Sequence, residues 1–230
     1  MTLGELADAT IVFDLDGTLV DTAPDLVRAL NETLAVEGLP SVKLDTVRTM
    51  VGQGARVLIE RAAARYGVSY QAERLDQLTE TFVSFYRADI ARESKPFPGV
   101  EDALETLAAL GAKLSVCTNK RTELSLALLQ ALGMTYWFAA IIGADVVAHR
   151  KPHPDHYRAA VTAAGGTVRR SVMIGDTIAD VAAARGAGAP VAVVAFGYCD
   201  DGAERLGADV VLRNFSEAAP ACRRLLAARP

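Results

Sequence analysis

The hydrophobic pattern of the chain alternates between short apolar runs and longer amphipathic stretches. A run of successive apolar residues suits a parallel strand that is buried between two layers of helices. Six such runs predict strands at residues 10–13, 113–117, 140–143, 171–174, 190–195 and 209–212, and helical patterns occur at residues 99–110, 122–132, 154–164, 178–185 and 217–228. This alternation predicts a doubly wound, Rossmann-like α/β fold around a parallel sheet.

One long interval after the first strand breaks this alternation. Only helical patterns occur between residues 24 and 93, at residues 24–37, 43–50, 55–66 and 71–91, and the segment SKPFPG follows them. An insert of about seventy residues is too long for a connecting loop. We therefore predict an all-α helical cap domain over residues 21–94, inserted into an α/β core domain of residues 1–20 and 95–230. The hinges are expected at residues 19–22 and 94–98.

Composition and charge narrow the class of partner. The 230 residues carry a net charge of -4 without a basic block, which argues against nucleic acid or an anionic membrane as the partner. No apolar run approaches the ~18 residues of a membrane span, and MTLGELADAT lacks the features of a signal peptide. Cys117, Cys199 and Cys222 are odd in number and widely spaced, so no disulfide framework is expected. These features fit a reducing cytoplasm. We expect a small molecule as the partner, and both a monomer and a homodimer stay open.

Polar residues follow several of the predicted strands. Ligands of open parallel sheets bind beyond the carboxyl ends of the strands. Asp14 and Asp16 follow the first strand, and two carboxylates so close repel each other unless a cation or a reacting group is present. The other polar residues at this edge are Thr118, Asn119 and Lys120 after the second strand, Lys151 after the third, and Asp176, Thr177 and Asp180 after the fourth. Together these residues predict a functional site at one edge of the sheet.

Four blocks of sequence, in order, resemble the haloacid dehalogenase superfamily, in particular its phosphatase branch with a helical cap after the first strand. The blocks are DLDGTLVD, the strand-end Thr118, Lys151 before a proline, and GDTIAD. Within that branch, DGTLVDTAPDLV and VGQGARVLIERA are most similar to the phosphoglycolate phosphatases. The resemblance implies a phosphatase that hydrolyses a small phosphate monoester, with 2-phosphoglycolate as the best candidate, to glycolate and phosphate.

The resemblance also implies roles for the carboxylates. Asp14 would attack the phosphorus atom and form an aspartyl-phosphate, which divides a very slow hydrolysis into two easier steps. An anionic nucleophile needs a cation to approach a phosphate dianion, and Mg²⁺ would be held by Asp14, the backbone carbonyl of Asp16 and Asp176. Asp16 would protonate the leaving oxygen and then activate water. Asp180 would hold the waters of the metal or orient Asp176.

Hydroxyl, amide and ammonium groups would bind the phosphate in this interpretation. Gly17 allows a sharp turn and a close approach of the backbone, with Thr18 beside it. Thr118 and Lys151, with Asn119 and nearby amides, would bind the phosphate oxygens as their charge redistributes.

A loop of the predicted cap is a candidate for recognition of the rest of the substrate. Gly52 and Gly54 precede a helix whose N-terminal amides would form an anion site. This loop, together with Arg56, would read a carboxylate of the substrate. An ordinary turn between two helices is an equally good interpretation of the segment.

Other activities that use the same apparatus stay open. A sugar-phosphate mutase, similar to β-phosphoglucomutase, would hold the aspartyl-phosphate long enough to return it, and a pyrophosphatase would cleave pyrophosphate. A dehalogenase is disfavoured because it needs neither Mg²⁺ nor Asp16. Among proteins that are not enzymes, a phosphoryl-receiver signalling domain also combines Asp, Mg²⁺, Thr and Lys, but the helical insert and Asp16 argue against it.

All three histidines lie in the segment AHRKPHPDH, as His149, His153 and His156. Two prolines constrain the segment and no cysteine accompanies it. We therefore interpret the histidines as solvated loop residues rather than as a transition-metal site.

Overall fold

The computed structural model describes residues 5–199 and 202–228. The strands are β1 (Thr10–Phe13), β2 (Val20–Asp21), β3 (Lys95–Pro96), β4 (Lys113–Cys117), β5 (Ala140–Ile142), β6 (Ser171–Gly175), β7 (Val191–Val194) and β8 (Val210–Leu212). The helices are α1 (Ala23–Val36), α2 (Leu44–Arg48), α3 (Ala55–Ala64), α4 (Ala72–Ala88), α5 (Val100–Ala109), α6 (Thr122–Ala131), α7 (Pro154–Ala163), α8 (Ile178–Ala187) and α9 (Ala218–Ala227). Among the described residues, no helix combines the length and the apolar character needed to cross a bilayer.

Six strands form one parallel sheet in the order β5-β4-β1-β6-β7-β8. The central strand β1 pairs with β4 and β6 in a register that sets Phe13 beside Val116 and Ile174. The carboxyl ends of these three strands therefore meet at the same edge of the sheet. The predicted doubly wound α/β fold is confirmed, and each of the six predicted strands is present.

The sheet is buried on both faces, which accounts for the continuous apolar pattern of its strands. Ile11 and Phe13 belong to one apolar cluster with Leu104 of α5. Val12, whose side chain points to the opposite face, belongs to another cluster with Tyr157 of α7. Helices thus cover the two faces, as expected for a parallel sheet.

The helices α1 to α4 form the insertion expected after the first strand, and they have an apolar cluster of their own. Pro24 lies in the first turn of α1, where a missing backbone N–H costs little. Helix α4 packs against α1 and α3, and its Phe82 and Tyr86 rings stack at a centroid distance of 6.1 Å. Leu124 of α6 joins this cluster, so the insertion contacts the sheet region close to the end of β4. The division of the chain into two domains stays a prediction.

The two expected hinge segments contain short strands that the sequence pattern did not indicate. β2 and β3 pair antiparallel, with Val20 beside Pro96 and Asp21 beside Lys95. The buried Asp25 carboxylate ties the same region together, since its Oδ2 accepts hydrogen bonds from the backbone N–H and the hydroxyl of Ser94 at 2.8 and 2.6 Å. A strand of two residues is too short to show a hydrophobic period, so the sequence pattern did not predict β2 or β3.

Candidate active site

Three buried carboxylates meet at the carboxyl edge of the central strands. Asp14 follows β1, Asp176 follows β6, and Asp180 lies in the first turn of α8. Each offers a carboxylate oxygen that lies within 4.8 Å of the others. The structure therefore brings together the acids that the strand-end pattern indicated, at the edge where parallel sheets bind ligands.

Lys151 is the cation inside this group. Its Nζ lies 2.9 Å from Asp14 Oδ1 and 2.6 Å from Asp180 Oδ1, and it donates a hydrogen bond of 2.7 Å to the carbonyl oxygen of Cys117. The Lys151 side chain is only 1% exposed. Burial alone would lower the pKa of Lys151, but the neighbouring charges of Asp14 and Asp180 raise it above its usual value. The ammonium group is therefore held charged between two carboxylates.

The ammonium group of Lys151 does not fully stabilise the ionised form of Asp14. Burial raises the pKa of Asp14 to about 7, Lys151 opposes that shift, and the charge of Asp180 adds to it. The backbone N–H of Leu15 donates a hydrogen bond of 2.7 Å to Asp14 Oδ1. A further cation beside this carboxylate would stabilise its ionised form.

Asp176 is fixed by a hydroxyl and by a backbone amide. Thr18 Oγ1 donates to Asp176 Oδ1 at 3.0 Å, and the backbone N–H of Tyr198 donates to Asp176 Oδ2 at 2.8 Å. Burial and the charges of Asp14 and Asp180 raise the pKa of Asp176 well above its usual value. Thr18 was expected to bind phosphate, but it is fully buried and its hydroxyl is directed to Asp176.

Gly17 is required by the close approach of Asp176. Its φ of 81° lies in the left-handed region, and a Cβ at this position would overlap Asp176 Oδ2. The backbone thus approaches a carboxylate closely, as expected for Gly17, although the neighbour is Asp176 rather than a site for phosphate.

Asp180 uses both carboxylate oxygens within the protein. Oδ1 contacts Lys151, while Oδ2 accepts from the backbone N–H groups of Asp176 and Thr177 at 3.3 and 3.0 Å and from the Thr177 hydroxyl at 2.7 Å. The bond from the Thr177 N–H to Asp180, together with a bond from the Asp180 N–H to the Thr177 hydroxyl, forms a capping box at the start of α8. Asp180 therefore positions Lys151 and the backbone of Asp176.

Asp16 lies outside this carboxylate cluster and forms an ion pair with a different lysine. Lys120 Nζ lies 2.9 Å from Asp16 Oδ1, to which the Thr22 hydroxyl also donates at 2.7 Å. Lys120 Nζ also lies over the ring of Tyr86, 4.5 Å from its centroid. Burial alone would lower the pKa of Lys120, but Asp16 and Tyr86 raise it. The sequence placed Lys120 at a strand end, but no pattern indicated its pairing with Asp16.

Thr118 and Asn119 occupy the turn after β4. Thr118 Oγ1 accepts a hydrogen bond of 3.2 Å from the backbone N–H of Lys120. Asn119 Nδ2 donates to the carbonyl oxygens of Gly52 and Lys151 at 2.9 and 3.0 Å, so it links the helical insertion to the sheet. Its Oδ1 is buried and has no hydrogen-bond partner among the residues that the structure describes.

The glycines of the loop before α3 allow the insertion to pack on the strand ends. Gly52 and Gly54 have φ values of 106° and 82°, which other residues rarely adopt. A Cβ at Gly52 would lie 3.2 Å from the Thr177 methyl group, and a Cβ at Gly54 would lie 3.1 Å from the carbonyl oxygen of Asn119. The N-terminus of α3, which Gly54 caps, is therefore held beside the turn after β4.

These elements enclose a cavity of about 380 Å³. From the strand ends it is lined by Asp14, Asp16, Thr118, Asn119 and Lys120, and from the insertion by Gly52, Gly54 and Arg56. An apolar wall of Leu26, Leu58, Phe82, Val83, Tyr86 and Leu124 completes it. Five of the predicted site residues do not line this cavity, namely Gly17, Thr18, Lys151, Asp176 and Asp180. Arg56 was expected to offer its charge to the substrate, but it forms an ion pair with Asp76.

The interpretation of His156 as a solvated residue is wrong. His156 is fully buried in α7, where its Nδ1 accepts from the backbone N–H of Lys151 at 3.1 Å and its Nε2 lies 3.1 Å from the carbonyl oxygen of Ile142. Burial, followed by the charge of Lys151, lowers the pKa of His156 to about 4. His149 and His153 are exposed, as expected.

Comparisons with known proteins show which family this chain is similar to. Residues 11–194 match the family described as haloacid dehalogenase-like hydrolase. The chain is 52% identical over 229 residues to a phosphoglycolate phosphatase from Caulobacter vibrioides, covering 100% of this chain and 97% of the relative. Several solved structures are similar over 94% of this chain. One is the structure of a predicted phosphoglycolate phosphatase from Haemophilus somnus, with a TM-score of 0.86 and 28% sequence identity. The match covers 98% of that chain. CbbY from Rhodobacter sphaeroides, in complex with phosphate, has a TM-score of 0.80, 28% identity and 99% covered.

The match to the family model extends over most of the chain, and the relative from Caulobacter vibrioides is similar from end to end. The chain therefore belongs to the haloacid dehalogenase-like hydrolase family, in which it is a phosphoric monoester hydrolase.

Proposed function

We propose that this phosphatase hydrolyses 2-phosphoglycolate to glycolate and phosphate, with Mg²⁺ and through an aspartyl-phosphate on Asp14. The substrate is suggested by the name of the relative at 52% identity. The observation that carries the mechanism is the position of Asp14, which lies at the end of β1, lines the cavity and contacts Lys151 at 2.9 Å. A carboxylate nucleophile needs this combination of access and neighbouring positive charge.

The acids at the strand ends fit a magnesium ion. Asp14 and Asp176 are buried carboxylates with raised pKa values, and Mg²⁺ prefers oxygen ligands. Asp180 contacts Lys151 through Oδ1 and accepts from three donors at Oδ2, whereas each oxygen of Asp176 accepts a single hydrogen bond. Asp14, Asp176 and the backbone carbonyl of Asp16 would therefore hold the metal. When bound, Mg²⁺ would supply the charge that stabilises these carboxylates and reduces their repulsion of a phosphate dianion.

Asp14 and Asp16 have different roles in the two steps of the reaction. The carboxylate of Asp14 attacks the phosphorus atom as the bond to the glycolate oxygen breaks. That oxygen receives a proton from Asp16, which takes the proton up from water as the phosphate dianion enters beside its pair with Lys120. Asp16, now ionised, takes a proton from the water that attacks the aspartyl-phosphate, which releases phosphate and regenerates Asp14. The Thr118 hydroxyl binds a phosphate oxygen. Asn119 holds the turn that carries Thr118, because its Nδ2 donates to the carbonyl oxygens of Gly52 and Lys151. Lys151 holds Asp14 in place and partly offsets its charge.

The helical insertion supplies the rest of the pocket as a cap domain over residues 21–94, above a core domain of residues 1–20 and 95–230. This is supported by the contacts of Asn119 with Gly52 and by the apolar cavity wall that α1, α3 and α4 provide. Closure of such a cap would exclude bulk water from the aspartyl-phosphate. The paired segments β2 and β3 are the natural hinges, because the chain crosses between the two units there.

The experiment that tests this function is a measurement of phosphate release from a panel of small phosphate esters and pyrophosphate, with Mg²⁺ and with a chelator. We expect metal-dependent release, with the highest kcat/KM for 2-phosphoglycolate. A higher kcat/KM for another ester would overturn the substrate assignment. An isomerised ester in place of free phosphate would identify a mutase.

A further inference from the structure

Most of the cations that line the cavity already have an acidic partner. Arg56 pairs with Asp76, and Lys120 pairs with Asp16 at 2.9 Å. Arg121 Nη1 donates to Glu80 Oε2 at 3.0 Å. Their charges are therefore largely offset before any substrate binds.

Arg150 is the exception. It lines the same cavity, yet within the two described stretches of chain its guanidinium has no carboxylate at ion-pair distance and no hydrogen-bond partner. The nearby acid Asp145 also lines the cavity, but its Oδ1 accepts from the backbone N–H and the hydroxyl of Thr122 at 2.7 and 2.9 Å. Burial alone would raise the pKa of Asp145, but these bonds lower it, and they hold the carboxylate at the start of α6. The positive charge of Arg150 is thus left without a counter-charge.

The position of Arg150 suits the part of a substrate that does not react. A Cβ built at Gly54 would lie 3.2 Å from Arg150 Nη1 and 3.1 Å from the carbonyl oxygen of Asn119. The guanidinium therefore lies against the N-terminal cap of α3 and close to the turn that carries Thr118. The N-terminal end of a helix also favours negative charge. One side of the cavity thus offers two features that attract an anion, beside the turn where the phosphate would bind.

We propose that Arg150 binds the carboxylate of the substrate and thereby selects carboxylated phosphate esters over uncharged ones. The guanidinium presents a planar fork of N–H donors that matches a carboxylate, and such charge-assisted pairs are among the stronger hydrogen bonds. Arg150 takes the role that the sequence suggested for Arg56, whose charge is directed to Asp76. This inference rests on the proposed function, since it concerns the acid group of 2-phosphoglycolate.

The test compares two esters that differ at the acid group, 2-phosphoglycolate and 2-hydroxyethyl phosphate. For Arg150→Gln we expect kcat/KM for 2-phosphoglycolate to fall about 30-fold, mainly through KM, because one charged hydrogen-bonded pair is lost. The value for 2-hydroxyethyl phosphate should change less than about threefold, and Arg150→Lys should recover part of the loss. Arg158→Gln is the matched control, since Arg158 follows in α7 and contacts Asp155 and the carbonyl oxygen of Gly186. It should leave the ratio of the two substrates unchanged.

Two results would overturn the inference while the proposed function stands. One is an equal loss for both esters in Arg150→Gln. The other is a loss of selectivity in Arg56→Gln with none in Arg150→Gln. If the unaltered enzyme releases phosphate from 2-hydroxyethyl phosphate but not from 2-phosphoglycolate, the proposed function itself fails, and the inference fails with it.

Discussion

Lys120 Nζ lies 2.9 Å from Asp16 Oδ1, and this ion pair connects the carboxylate after β1 to the ring of Tyr86 in the helical insertion. Both charged groups line the cavity. The proposed acid and base is therefore oriented by a lysine from the neighbouring strand end. Its position also depends on a contact with α4.

We expect Lys120→Met to lower kcat/KM about 100-fold, because Asp16 loses its orienting charge and the cavity loses a cation. Lys113→Met is the matched control. Lys113 begins the same strand, β4, at the opposite edge of the sheet, where its Nζ donates to the carbonyl oxygen of Gly165. Steady-state kinetics of both variants would check this, and equal effects of the two substitutions would contradict a specific role for Lys120.

Gly17→Ala should destabilise the protein strongly for two reasons, which a second substitution can separate. The φ of 81° disfavours any side chain, and the new Cβ would overlap Asp176 Oδ2. Gly38→Ala isolates the first reason, since Gly38 has a φ of 67° and a Cβ there would meet no atom within 4 Å. We expect a loss of about 1 kcal/mol in the free energy of unfolding for Gly38→Ala and about 2 kcal/mol more for Gly17→Ala.

Denaturant unfolding measures both free energies, and phosphate release measures the consequence for the site. Gly17→Ala should lose activity together with stability, because Asp176 must move. Full activity in Gly17→Ala would show that the position of Asp176 does not matter for the reaction.

The buried His156 should contribute less to the stability of the protein in weak acid. Its folded pKa of about 4 lies below the ordinary value of 6.5, so the unfolded chain binds a proton first as the pH falls. The contribution of His156 to the free energy of unfolding should therefore decrease by up to about 3 kcal/mol as the pH falls from about 6.5 towards 4. The raised pKa values of Asp14 and Asp176 act in the opposite direction over this range. Above pH 7 the contribution is complete and constant.

His156→Asn keeps an acceptor near the position of Nδ1 but cannot take up a proton in this range. We expect it to remove the His156 contribution from the pH dependence of stability, measured by denaturant unfolding between pH 7 and pH 4.5. His153→Asn, at an exposed position, serves as the control and should retain that dependence. An unchanged slope in His156→Asn would refute the assignment.

The fold was predictable because burial on both faces leaves a continuous apolar signal. Val12, for example, is buried against one helix layer and Phe13 against the other. The strand-end acids Asp14 and Asp176 were predictable for a related reason, since parallel strands of one sheet end at the same edge.

Contacts between distant side chains were not predictable in this way. The pairing of Arg56 with Asp76 depends on how α3 packs against α4, and the partner of Asp176 at Tyr198 depends on the loop after β7. His156 is buried because α7 packs against β5, a contact that the local sequence of prolines and polar residues does not indicate. These relationships arise from tertiary packing and have no period in the sequence.

Asp14→Asn should abolish turnover and leave the fold intact, since an amide has nearly the same shape but is not a nucleophile. Circular dichroism would establish the fold and phosphate release the activity. Asp155→Asn, at an exposed carboxylate, is the control and should keep its activity. Normal turnover in Asp14→Asn would remove this residue from the mechanism.

The central claim is that the phosphoryl group passes through Asp14, and one measurement tests it most directly. The enzyme is quenched during turnover of 2-phosphoglycolate with Mg²⁺, reduced with borohydride, which converts an aspartyl-phosphate to homoserine, and digested for peptide mass spectrometry. We expect homoserine at position 14, and none when substrate or metal is omitted. Release of phosphate with an unmodified Asp14, or homoserine at another aspartate, would contradict the account.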